Sequence, residues 1–235
     1  MALPKLNDKP KYEMKIPSTK EEVRFRPFLV KEEKVLMIAQ ESENPKDILH
    51  AVVDTLDACV DGGVSKSKLT VFDVEYMFTQ LRAKSVGESA NIAVECSHCK
   101  EQNEVQINLD ELVMEVPPEK DSFIELTDDI TLEMKWPSYM DIADLPSQDT
   151  GDAKVAFHVL NKSLAAVITE DERINMQEES DEEIESFIDS MNKEQFDKIQ
   201  KFIESMPKLT HDVEFACEHC GEANNKTLEG MASFF

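Results

Sequence analysis

The chain has 235 residues and a mass of 26.7 kDa, enough for one large domain or two small ones with a buried core and no need of disulfide staples. Acidic side chains number 49 against 25 basic ones, and the formal net charge of -24 disfavours nucleic acid or an anionic membrane as partner unless a local basic patch overrides the global field. No run approaches the roughly 18 apolar residues of a membrane span, and Met1-Ala2-Leu3-Pro4-Lys5 lacks a signal-peptide core, so the expectation is a soluble protein of the cytosol in which it is made.

The charge is polarised. The first 30 residues hold seven basic and four acidic side chains, a net +3, which leaves -27 for the rest. Residues 1 to 11 carry three Lys and two Pro without apolar periodicity and read as an extended arm. Tyr12, Met14 and Ile16 then alternate, and after Pro17-Ser18-Thr19 the pattern resumes at Val23 and Phe25, which predicts a β-hairpin. Asn44-Pro45 is an N-cap followed by proline at the first helical position, and Ile48, Leu49, Val52, Val53, Leu56 and Cys59 form one helical stripe. Cys59 on that stripe is a small core residue. A break at Asp61-Gly62-Gly63 precedes a second helix from about Phe72, with Val74, Met77, Phe78 and Leu81 on one face.

Ile92 and Val94 lead as a strand into Cys96, and Val105, Ile107 and Leu109 lead away, so a CxxC pair sits at a hairpin tip. More β-structure is expected over 113 to 136, then a short helix capped by Ser138 and Asp141 and ending before Pro146. From Gly151 a longer helix is expected, with Ala156, Leu160, Leu164 and Val167 on one side. Residues 169 to 189 hold ten acidic side chains and one Arg, a solvated stretch. Ser180 with Glu183 opens a helix carrying Ile184, Phe187, Ile188 and Met191; Asn192 opens another that Pro207 ends. Val213 and Phe215 lead as a strand into Cys217, and the chain finishes in an apolar tail.

Cys96-Ser97-His98-Cys99-Lys100-Glu101 and Cys217-Glu218-His219-Cys220-Gly221-Glu222 repeat in kind. In a reducing compartment such pairs point to metal before disulfide. A two-residue gap lets a tight turn aim both sulfurs at one ion while backbone N–H groups face them, so Cys96, Cys99, Cys217 and Cys220 are the candidate ligands of one structural Zn2+. Gly221 suits the positive φ of such a turn and Lys100 does not. The 117 residues between Cys99 and Cys217 must be an insertion whose ends return to one place. Metal-free knuckle remnants or two unrelated pairs are the competing readings.

Four thiolates close the metal's shell, whereas catalysis needs an open position. His98 and His219 lie within the turns and read as surface or outer residues. Thioredoxin-like redox chemistry needs a helix after CxxC, and strands follow here. There is no GxSxG, P-loop, HExxH or GxGxxG, and only six Gly, so the expectation is no enzyme. A zinc-ribbon nucleic-acid-binding module is the alternative. It is opposed by Glu95, Glu101, Glu104, Glu214, Glu218 and Glu222 around the pairs, against Lys100 alone.

Phe25-Arg26-Pro27-Phe28-Leu29-Val30-Lys31-Glu32-Glu33-Lys34, Leu81-Arg82-Ala83-Lys84-Ser85-Val86-Gly87-Glu88 and the tail Leu228-Glu229-Gly230-Met231 with Phe234-Phe235 resemble the T4-like bacteriophage baseplate protein family. The resemblance implies a baseplate hub component or hub-assembly factor of a contractile tail, binding other hub and tail proteins in the virion baseplate and in the host cytoplasm during assembly. Zinc is not carried over from the family. Arg24, Arg26, Phe234 and Phe235 are candidate partner-binding residues; the alternatives are that the arginines face solvent and the phenylalanines pack on their own domain.

The expected fold is α+β. It comprises an arm, hairpin and helical region over 1–90, a split zinc ribbon of two CxxC knuckle hairpins over 91–110 plus 209–235, and a β then helical insertion over 111–208.

Overall fold

The alternation at Tyr12, Met14 and Ile16 becomes strand β1 (Tyr12–Lys15), antiparallel to β2 (Glu22–Phe25), in a computed structural model that describes residues 9–42, 44–114, 116–118, 122–143 and 152–230. Met14, Ile16 and Phe25 are buried. The hairpin turn is tied down by the fully buried carboxylate of Asp73, which accepts from Ser18 N–H (2.9 Å) and Oγ (2.6 Å) and from Thr70 N–H (2.9 Å) and Oγ1 (2.7 Å). Buried carboxylates persist when several donors meet them, as here.

Helix α1 (Val30–Glu41) has no counterpart among the sequence-based expectations. Its inward side buries Glu32 and Ala39, while Val30, Val35, Met37 and Ile38 are 65, 47, 57 and 68 % exposed. An amphipathic stripe is therefore absent. An ion pair holds α1 instead: Arg26 Nη2 lies 2.8 Å from Glu32 Oε1, with both side chains largely buried, and Arg26 also donates to the carbonyls of Pro27 and Ala58. Glu32 Oε2 accepts from Leu29 N–H at the helix start. Burial alone would raise the Glu32 pKa; the bonds from Arg26, Leu29 N–H and Lys31 outweigh it and hold the carboxyl at about 2.

Helices α2 (Pro45–Cys59) and α3 (Val71–Ser85) follow, capped by Asn44 and by the Thr70–Asp73 box. Their stripes bury Val52, Val53, Leu56, Cys59, Val74, Met77 and Leu81. Burial raises the Cys59 thiol to about 11, so it stays protonated in the core. Strands β3 (Ser89–Glu95) and β4 (Gln102–Asn108) form one hairpin, and β10 (Leu209–Ala216) with β11 (Ala223–Glu229) forms another, extended by the short β5 (Val113–Met114) on β10. One apolar cluster joins them: Ala90, Ile92, Val94 and Ile107 from the first, Leu209 and Val213 from the second.

The chain divides into two compact units, Met1–Glu115 with Lys208–Phe235, and Val116–Pro207. The second unit holds an antiparallel sheet in the order β6 (Phe123–Glu125), β7 (Thr131–Met134), β8 (Leu164–Ile168), β9 (Arg173–Asn175). It also holds α4 (Tyr139–Ala143), α5 (Asp152–Ser163), α6 (Asp181–Asp189) and α7 (Lys193–Glu204), the last two opened by the expected Ser180–Glu183 box and by the expected Asn192 cap, which the structure pairs with Gln195. Its core gathers Leu132, Leu160, Leu164, Ile184, Ile188 and Ile199, and Trp136 stacks on Phe202 with ring centroids 4.1 Å apart.

The helix expected from Gly151 through Val167 stops at Ser163 instead. Leu164 and Val167 lie in a strand, because β7 and β9 on either side supply ladder partners for Leu164–Ile168. A short apolar run is ambiguous between helix and strand, and its neighbours decide. Among the described residues no helix is long and apolar enough to cross a membrane.

Candidate metal centre

Alternation along β3 buries Ala90, Ile92 and Val94, and Cys96 is the next inward position. Along β10, Leu209 and Val213 face in and Cys217 continues the series. Strand periodicity thus delivers the first cysteine of each pair to the same buried side. The turn beyond each is the same. Cys96 N–H bonds Glu101 O (2.9 Å) and Lys100 N–H bonds Cys96 O (3.1 Å); Cys217 N–H bonds Glu222 O (2.9 Å) and Gly221 N–H bonds Cys217 O (2.8 Å). The His98 and His219 backbone N–H groups each point at the first sulfur of their pair, at 3.4 Å, while both histidines are exposed.

The turn forces positive φ on the residue after each second cysteine: 78° at Gly221 and 68° at Lys100. Lys100 is the poorer fit to this geometry, and the backbone adopts the turn regardless. Left-handed geometry costs a non-glycine residue about 1–2 kcal/mol. Lys100→Gly is expected to raise stability by about 1 kcal/mol, read as a higher urea midpoint, since the exposed Lys100–Glu95 contact at 3.4 Å contributes little.

All four sulfurs lie within 4.8 Å of one another. Cys96 Sγ is 3.8 Å from Cys220 Sγ, and Cys99 Sγ is 3.6 Å from Cys217 Sγ. These distances far exceed the roughly 2.05 Å of a disulfide. They match the edge, about 3.8 Å, of a tetrahedron with metal–sulfur bonds of about 2.3 Å. Four soft donors in that arrangement could hold a metal ion. The Cys99 backbone N–H outweighs burial at Cys96 and, with the His98 N–H, Asn224 and Cys217, holds that thiol down at about 6. At Cys99 the Glu101 N–H favours the thiolate, but burial and the other three sulfurs push it up to about 12. The first sulfur of each pair, Cys96 and Cys217, is shifted toward the thiolate, and the second, Cys99 and Cys220, is shifted away from it.

Two residues absent from the sequence-based candidates complete the centre. Asn103 Oδ1 accepts from Glu218 N–H of the opposite turn (2.9 Å), and Asn224 Oδ1 accepts from Ser97 N–H (2.8 Å). Each amide also donates to its own turn, to Glu101 O and Glu222 O, both at 3.0 Å. Asn224 Nδ2 lies 3.4 Å from Cys96 Sγ. A signal for them existed: Cys96 to Asn103 and Cys217 to Asn224 are octapeptides with Cys, His, Cys, Glu and Asn at the same places.

Of the other candidate residues, the described ones lie apart from this centre. Arg24 is exposed and paired with Glu13 at 2.9 Å; Arg26 is taken up by Glu32; Phe234 and Phe235 are outside the described residues. The six glutamates flanking the pairs are all exposed.

A family model described as T4 bacteriophage base plate protein matches residues 9–235. No curated protein and no solved structure matches.

Proposed function

The chain belongs to the T4 bacteriophage base plate protein family, and from that premise we propose that it is a non-enzymatic component or assembly factor of the baseplate hub. Membership implies a place in the virion tail and contact with other tail proteins. The hub role, with residence in the host cytoplasm during assembly, is proposed on top of that membership.

In this reading a structural Zn2+ on Cys96, Cys99, Cys217 and Cys220 makes a split zinc ribbon of residues 91–110 and 209–235, carried by the arm, hairpin and helices of 1–90 and interrupted by the insertion 111–208. The sulfur separations of 3.6 and 3.8 Å support zinc, and thiolate donors suit it better than magnesium or calcium. Four protein ligands leave no position for substrate, so the metal's work is to hold chain segments together.

The outer face of α1 is the surface this reading gives to a baseplate partner. Val30, Met37 and Ile38 are more than half exposed beside Lys34, on a helix that begins where the basic stretch of residues 1–30 ends. Arg24 joins that stretch, and Phe234 and Phe235 remain candidates in the same role.

The test is tagged protein recovered from infected lysate, alongside mass spectrometry of purified virions. Baseplate proteins in the lysate pull-down together with the chain in virions identify a structural component. Lysate association alone identifies an assembly factor, and recovery of no baseplate protein defeats the proposal. Ile38→Glu is expected to lower recovery at least about tenfold with unchanged circular dichroism, as loss of a central apolar anchor does.

A further inference from the structure

We propose that Asn103 and Asn224 are the positioning residues of the metal centre, a reciprocal latch in which each hairpin's amide fixes the opposite CxxC turn. The inference rests on the zinc reading and goes beyond it by assigning residues that are not ligands. Each asparagine stands four places after the second cysteine of its own pair and is nearly fully buried, at 3 % exposure for Asn103 and 6 % for Asn224. Each uses both ends of its amide. The oxygen takes the backbone N–H just after the first cysteine of the other pair, and the nitrogen binds a carbonyl of its own turn.

The latch controls a distance that the hairpins alone do not set. Within a pair the two sulfurs are spaced by one tight turn; between pairs, 117 residues apart in sequence, only contacts between the hairpins can set the spacing. The two asparagine–backbone bonds, at 2.8 and 2.9 Å, cross that gap beside the sulfurs. Groups that hold metal ligands in place typically account for about 10–100-fold in affinity.

The two members are unequal in one respect. Asn224 also directs an N–H at Cys96 Sγ, 3.4 Å away. A hydrogen bond to a thiolate withdraws charge from the sulfur, so Asn224 tunes a ligand as well as placing it, and Asn103 has the placing role.

The experiment is Co2+ and Zn2+ titration of the full chain against a chromophoric chelator, with Asn103→Ala and Asn224→Ala beside the parent. Both variants are expected to bind about 10–100-fold more weakly. Asn224→Ala alone is expected to move the sulfur-to-cobalt charge-transfer band to lower energy. A merely structural role would leave that band in place. If either alanine variant does not fold, Asn103→Asp and Asn224→Asp decide the matter: each keeps an acceptor for the facing N–H, and only Asn224→Asp loses the N–H toward sulfur and shifts the band.

Affinities within twofold of the parent, or the same band position in both variants, overturn the latch. A parent that binds neither ion overturns the zinc reading itself, which separates the two failures.

Discussion

Cys217→Ser is expected to lower zinc affinity by more than the roughly 100-fold upper range of an outer positioning residue, because it removes a donor outright. Chelation of the parent should act in the same direction. Structural zinc contributes apparent binding free energies on the order of 10 kcal/mol, comparable with the whole stability of a domain at about 5–15 kcal/mol. Loss of metal should therefore open the β3–β4 and β10–β11 hairpins, seen as loss of amide-exchange protection around Cys96 and Cys217. The 116–207 unit has its own core, in which no cysteine takes part, so its helices should keep their protection. Because the ligands must be thiolates, affinity should fall with pH. Zinc stoichiometry near zero in protein purified without chelator, or unchanged protection after chelation, would sink the expectation.

Arg26→Met is expected to cost about 3–5 kcal/mol, since it strands the buried Glu32 carboxylate. The pH dependence gives an independent measure. Glu32 titrates near 2 in the folded chain against 4.5 ordinarily, so the unfolded state takes up its proton first as pH falls. Its contribution is complete above about pH 4.5 and is lost as pH drops through about 2; the difference corresponds to about 3 kcal/mol. Urea unfolding between pH 6 and 2 should therefore show a shallower acid slope for Glu32→Gln than for the parent. Equal slopes would mean that the ion pair is solvated. A large stability loss in Arg26→Met would also locate the residue's work inside the fold, and a loss of partner recovery without destabilisation would locate it at the surface.

Local chemistry made much of the fold legible. Asn44-Pro45, Ser180 with Glu183, and Asn192 open helices because a cap needs only residues within one turn. The period-two runs at Tyr12–Ile16 and Ile92–Val94 are strands for the same reason of short range. Helix α1 escaped because its inward contacts are an ion pair and an alanine, while its apolar residues face outward. Leu164 and Val167 suit a helical stripe by spacing yet lie in a strand, because an apolar run of that length satisfies either state until strand partners exist on both sides.

At the centre, the sequence by itself determined the donors. The repeated CxxC and the strand alternation that turns Cys96 and Cys217 inward are written in residue order, and so is Asn103 with Asn224 once the octapeptides are aligned. Only the tertiary structure decided that the two pairs meet. Cysteine pairs separated by 117 residues come together because their hairpins share an apolar cluster and two crossed amide bonds, which no local pattern encodes. Sulfur spacing within a pair is a property of one turn, and sulfur spacing between pairs is a property of packing.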